Sequence, residues 1–192
     1  MLSQLISRLI ARQIDRGILK QEEREAYEYG YFLIALEILN ISIMVLIGIL
    51  FKCFFPLLFF TLCLIALRKY AGGVHASSYT RCAAASALLE LILVLILRSR
   101  LWRLLFLPAV LPAVCGCAVI WVCSPVAASK KPLTDGETLL FRKRSHDRLL
   151  FEVILAVLLF LSHNYLLCFV VMFNFITIGS AMGIALWQRR RA

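Results

Sequence analysis

Apolar residues run through this chain in six blocks, at about residues 31–51, 53–67, 83–97, 104–123, 149–162 and 165–187, separated by short polar stretches. None of the blocks alternates with period two, and each is long enough for several helical turns, so the pattern predicts helices, not strands. A helix rises ~1.5 Å per residue and a bilayer's hydrocarbon core is ~30 Å thick, so about 20 residues are needed to cross. The first, fourth and sixth blocks meet that length. The second, third and fifth are shorter, and must borrow flanking residues, sit in locally thinned bilayer, or enter and leave on one side. Pro56, Pro108 and Pro112 put kinks or breaks in the second and fourth blocks.

Ahead of these blocks the pattern changes. Leu2, Leu5, Ile6, Leu9, Ile10, Ile14 and Ile18 recur at helical spacing, with Arg8, Arg12, Arg16 and Lys20 largely on the other side. Residues 1–28 therefore read as a basic amphipathic segment suited to the membrane interface, or to packing on the rest of the protein. They are too charged, and lack the long apolar core, for a cleavable signal peptide. The fold expected is all-α: a single membrane-embedded domain over 1–192, with about six transmembrane or partly re-entrant helices and an amphipathic interfacial helix.

Composition agrees with a polytopic membrane protein, since 62% of the 192 residues are hydrophobic and the mean hydropathy is +0.88. The net charge of +10 does not point to nucleic acid, because the cations lie between apolar blocks and form no contiguous soluble face. Membrane lipid and an acidic substrate suit them better. With an inside N-terminus and six crossings, all of the 21 Lys and Arg residues except Lys52, Arg98, Arg100 and Arg103 fall on the cytoplasmic side. The positive-inside rule thus favours cytoplasmic termini in a multi-pass protein of a cell membrane. The group Arg98, Arg100 and Arg103 is the misfit: either it meets lipid headgroups, or 83–97 enters and leaves on one side. The stretch 124–148 reads as a basic cytoplasmic loop, either simply solvated or a docking site for an acidic peptide or anionic lipid through Lys130, Lys131, Arg142 and Lys143.

The remaining polar island, residues 68–82, carries the candidate chemistry. His75 and Cys82 stand there with six residues between them, among Arg68, Lys69 and Arg81. A thiol is a good nucleophile as thiolate, a form favoured by imidazole and by nearby cations. Cys82 would attack a carbonyl and His75 would move the proton, while Gly72-Gly73 would let backbone N–H groups approach the developing oxyanion. The plainer alternatives are a turn between helices for the glycines, a structural histidine, and cations placed by the positive-inside rule. No GxSxG, HExxH, Walker A or GxGxxG motif competes with the pair. The other six cysteines lie in apolar blocks, where cysteine acts as a small hydrophobe; Cys115, Cys117 and Cys123 have no histidine close in sequence, so neither metal nor cofactor is expected. Glu37, Asn40, Glu90 and Glu152 are the intramembrane polar groups, and Glu90, about two turns beyond Cys82, either points toward the island or bonds between helices.

The island, written R-x-x-x-G-G-x-H-A with its following cysteine, resembles the accessory gene regulator B family. So does Ser124-Pro125 followed by Lys130-Lys131-Pro132-Leu133, and the likeness extends over nearly the whole chain. It implies a membrane cysteine endopeptidase of Gram-positive bacteria that removes the C-terminal tail of a short quorum-sensing precursor and cyclises the remainder to a thiolactone or lactone. By that resemblance Cys82 is the nucleophile and His75 the base, Arg68 and Gly73 are needed for activity, and the precursor has an amphipathic leader and an acidic tail. A non-catalytic peptide exporter or scaffold would explain topology and charge while leaving the histidine–cysteine pair accidental. A membrane acyltransferase would share the thiol chemistry. A homodimer is an expectation from size alone.

Overall fold

The computed structural model describes residues 2–72, 79–126 and 134–191, with the side chains of 2–4, 29, 33, 36, 79–83, 189 and 191 outside the description. Seven α-helices account for most of them: α1 (Leu2–Asp15), α2 (Arg24–Leu50), α3 (Phe54–Ala71), α4 (Tyr79–Arg98), α5 (Trp102–Cys123), α6 (Asp135–Leu161) and α7 (Tyr165–Arg191). There is no strand among the described residues, and the protein is an all-α helical membrane protein. Each of the six apolar blocks is the apolar part of one helix, α2 to α7. Four are long and apolar enough to cross a membrane: α2 with the turn before it, α3, α5 and α7. Outward-facing leucine, isoleucine and phenylalanine on these helices, among them Ile38, Ile49, Phe55, Leu107 and Leu111, suit a lipid solvent.

The chain divides into two compact units, 1–43 and 44–192. In the first, α1 stops at Asp15, well short of residue 28, because Gly17 takes φ 69° and ends the helix. On α1 Leu5 and Leu9 are exposed while Ile10 is buried. The Gln13 amide donates to the Tyr31 hydroxyl at 3.0 Å, joining α1 to α2.

In the second unit, α7 packs against α5, α3 and α6. Its buried face carries Phe169, Val170, Phe175, Ile178 and Met182, and Phe173 meets Phe60 of α3 with ring centroids 5.7 Å apart. Gly116 and Gly179 bring α5 and α7 into backbone contact: a Cβ built on Gly179 would sit 2.5 Å from the Gly116 Cα. Small residues permit such approach between membrane helices, where dispersion replaces hydrophobic drive. Glu152 and Asn174 are buried together, the Asn174 amide donating to a Glu152 carboxyl oxygen at 2.8 Å, while Glu90 is buried within reach of Thr61. Glu37, by contrast, is exposed.

Two kinds of connection alternate along this unit. Helices α2–α3, α4–α5 and α6–α7 are joined by tight turns, each with one non-glycine residue at positive φ: Lys52, Arg100 and His163. Beside the second turn the Arg103 guanidinium lies 5.5 Å from the Trp102 ring, a cation–π pair. The longer connections, α3–α4 and α5–α6, carry the polar island and the stretch after Cys123.

The stretch 124–148 is not loop throughout. Helix α6 starts at Asp135, so residues 135–148 form its charged half. The reason is local: Thr134 accepts from the Glu137 N–H, and the Glu137 carboxylate accepts from the Thr134 N–H at 3.0 Å, a capping box that fixes the helix start. Asp135 and Glu137 in the first turn also suit the helix dipole.

Candidate functional site

Helix α3 brings Arg68 and Lys69 into its last turn, where cations meet the negative end of the helix dipole. It ends at Gly72, whose N–H donates to the Arg68 carbonyl at 3.0 Å. Gly72 has φ 79° and ψ −152°, a region open essentially to glycine alone. A Cβ there would also strike the Val126 carbonyl oxygen. The reason is a backbone bridge: the Val126 N–H donates to the Ala71 carbonyl at 2.9 Å, pairing the end of α3 with the segment just after α5. Two stretches far apart in sequence, one at the mouth of the island and one beginning Ser124-Pro125, are therefore a single piece of structure.

That piece is fastened to α6. Arg142 donates from Nε to the Ser124 carbonyl at 3.1 Å, and Ser124 itself is completely buried. One turn later, His146 stacks on Trp121 with ring centroids 4.0 Å apart and planes 10° apart, its Nε2 2.9 Å from the Trp121 carbonyl. Residues four apart share a helix face, so Arg142 and His146 act as two adjacent fastenings on one segment. Tyr70 adds a further link, edge-on to Phe141 at 6.0 Å, with Lys69 Nζ and the Arg144 guanidinium 5.8 and 5.6 Å from its ring.

Of the residues singled out from sequence, Arg68, Gly72, Arg142 and Lys143 fall among those described. Arg68 and Gly72 stand at the end of α3, and Lys143 is exposed on α6 beside Arg142. Cys82 lies in the first turn of α4, with its side chain outside the description; Gly73, His75, Lys130 and Lys131 lie outside the described residues. The structure thus builds the frame from which the His75–Cys82 stretch departs. Trp121, His146 and Tyr70 were missed. The spacing of Arg142 and His146, both on one face of a capped helix, is the signal that would have found the first two.

The described cysteines are free, and Cys53, Cys63 and Cys168 are buried. Burial pushes the Cys53 thiol, in the α2–α3 turn, above its ordinary range, which disfavours a thiolate. Among the described residues no three His, Cys, Asp or Glu side chains converge as a metal site would need.

The fastening makes Arg142 a testable position. Arg142→Ala removes a charge-assisted hydrogen bond worth about 1.5–3 kcal/mol, which corresponds to roughly a tenfold or greater loss of the pinned arrangement. The expected result is an activity loss of that order at unchanged membrane level, with Arg142→Lys recovering part of it. Equal activity in the Ala variant would show the contact to be dispensable.

Fold and site together define a polytopic helical membrane protein in which the end of α3, where the polar island begins, is tied to the segment after α5, and that segment to the charged half of α6. The profile of the family described as Accessory gene regulator B matches residues 3–186, and the chain belongs to that family. It is 25% identical over 196 residues to an AgrB-like protein of Clostridium perfringens (strain SM101 / Type A), covering 97% of this chain and 87% of that protein. No solved structure matches it significantly. Family membership supports a role in processing an autoinducing peptide for quorum sensing, with a precursor peptide as the partner.

Proposed function

We propose that this protein is a membrane cysteine endopeptidase that cuts the C-terminal tail from a quorum-sensing precursor and promotes cyclisation of the rest. The observation that supports it most is the Gly72–Val126 bridge, because it joins the two segments that carry the family's motifs. The Cys82 thiolate attacks the scissile carbonyl, the C–N bond breaks, and His75 delivers the proton to the leaving amine. The tail departs and the core peptide stays on Cys82 as a thioester. A cysteine or serine of the core then attacks that carbonyl as His75 takes its proton. The ring closes as a thiolactone or lactone and the Cys82 thiol is restored.

A thioester and a thiolactone are close in free energy, so closure proceeds provided water does not intercept the acyl group; a site at the membrane boundary limits that. Arg68 and Arg81 favour the thiolate electrostatically, and Gly72 and Gly73 bring backbone donors to the oxyanion. Lys130, Lys131 and Lys143 offer cations to an acidic tail. In the proposed topology six helices cross, and the termini and the site face the cytoplasm, where most of the Lys and Arg residues then lie.

Co-expression with a candidate precursor, followed by mass spectrometry of membranes and medium, tests this. Cys82→Ser and His75→Ala should each lose tail cleavage by at least a hundredfold, given the usual ~10²–10⁴-fold share of a general base. Normal processing by both variants would leave the exporter or scaffold reading in place.

A further inference from the structure

The charged half of α6 bounds a cleft that the proposed catalysis does not use. It has a volume of about 310 Å³ and is lined by Tyr70, Arg144, Asp147, Arg148 and Phe151. Arg144 and Arg148 are one turn apart and therefore share a face, and both are exposed. Phe151 lies three residues further on, 60% exposed, at the point where α6 turns from charged to apolar. From it an exposed apolar strip continues along the same helix through Ile154, Leu158 and Leu161. The cleft thus has guanidinium groups at its polar end and opens onto an exposed apolar surface at the other.

We propose that this cleft binds the headgroup of an anionic phospholipid, its phosphodiester between Arg144 and Arg148 and its acyl chains along the Phe151–Leu161 strip. Guanidinium forks match phosphate oxygens and can engage two at once. The formal charge of the lining is +1, from two arginines against Asp147. That balance fits a phosphodiester carrying a single negative charge better than a phosphomonoester, which carries up to two. A soluble anion or an acidic peptide would satisfy the arginines but leave the apolar strip without a role. The strip is what selects a lipid.

The proposal is independent of peptide cleavage, so it is tested on full-length Cys82→Ser protein. The protein is loaded in nanodiscs containing phosphatidylglycerol and transferred to phosphatidylcholine nanodiscs. Retained phosphatidylglycerol is then counted by lipid mass spectrometry. Retention should fall about fivefold for Arg144→Gln and again for Arg148→Gln, the worth of one arginine near an anionic surface. Lys52→Gln, in the α2–α3 turn and outside the cleft lining, should change nothing. Asp147→Asn should shift preference toward phosphatidic acid, which also keeps the test valid should an arginine variant fold poorly. Undiminished retention in a folded Arg144→Gln/Arg148→Gln protein would overturn the proposal. So would displacement by glycerol 3-phosphate at equal concentration, which would mark a free-phosphate site, or by soluble tetraglutamate, which would mark a peptide site.

Discussion

Gly72→Ala is expected to abolish processing while leaving the protein in the membrane. Two penalties combine at this position. The backbone conformation, φ 79° and ψ −152°, costs a non-glycine residue of order 1–3 kcal/mol. The added methyl would also meet the Val126 carbonyl, which is held in place by the bridge to Ala71. Relief requires breaking that bridge, another ~1 kcal/mol of hydrogen bonding. The sum, ~2–4 kcal/mol, corresponds to a loss of roughly thirtyfold to nine-hundredfold in the arranged site. Gly136→Ala is the natural control, because nothing lies within 4 Å of a Cβ there and the position is helical. Precursor cleavage at matched membrane levels decides the matter. If Gly72→Ala cleaves as well as Gly136→Ala, the bridge does not hold the site.

Gly116→Ala is expected to damage the fold itself. Its Cβ would run into the Phe175 carbonyl of α7, and backbone cannot step aside as a side-chain tip can. The two helices would have to separate along the most extensive packing surface of the second unit. Ordinary overpacking costs ~1–3 kcal/mol, and a backbone collision belongs at or above the upper end. Thermal unfolding in detergent micelles should show a markedly lowered midpoint and a poor membrane yield. Gly183→Ala, on α7 but with open space around it, should behave as wild type. A Gly116→Ala protein of normal stability would mean that α5 and α7 can slide apart without loss.

The helices were largely legible because a membrane protein writes its helices as apolar blocks; all six became the apolar parts of α2 to α7, four of them long and apolar enough to cross. Hydrophobicity alone misled where charge and helix coincide. The run Arg142-Lys143-Arg144 reads as loop, yet Thr134 and Glu137 cap the helix that carries it. The capping box was visible in the sequence and outweighs the charge, since a helix entering water can be polar on every side. The buried carboxyls Glu90 and Glu152 were legible as interior groups, but nothing in the sequence pairs Glu152 with Asn174. The frame of the site was illegible for a deeper reason. The Val126 to Ala71 contact runs from backbone to backbone, and main-chain hydrogen bonds leave no signature in residue identity. Only its by-product, the glycine at position 72, shows in the sequence, where it looks like any turn.

The apolar half of α6, residues 149–161, is only about 20 Å long, against a hydrocarbon core of ~30 Å. An α6 that crosses the bilayer therefore does so under hydrophobic mismatch. Each ångström of shortfall costs a fraction of a kcal/mol, met by local compression of the bilayer or by a shift of the helix along its normal. Arg142 and His146 ride on that helix and hold Ser124 and Trp121, hence the bridge to Ala71. For an α6 that crosses, bilayer thickness would therefore bear on the Val126–Ala71 backbone contact through the helix fastened to Ser124 and Trp121.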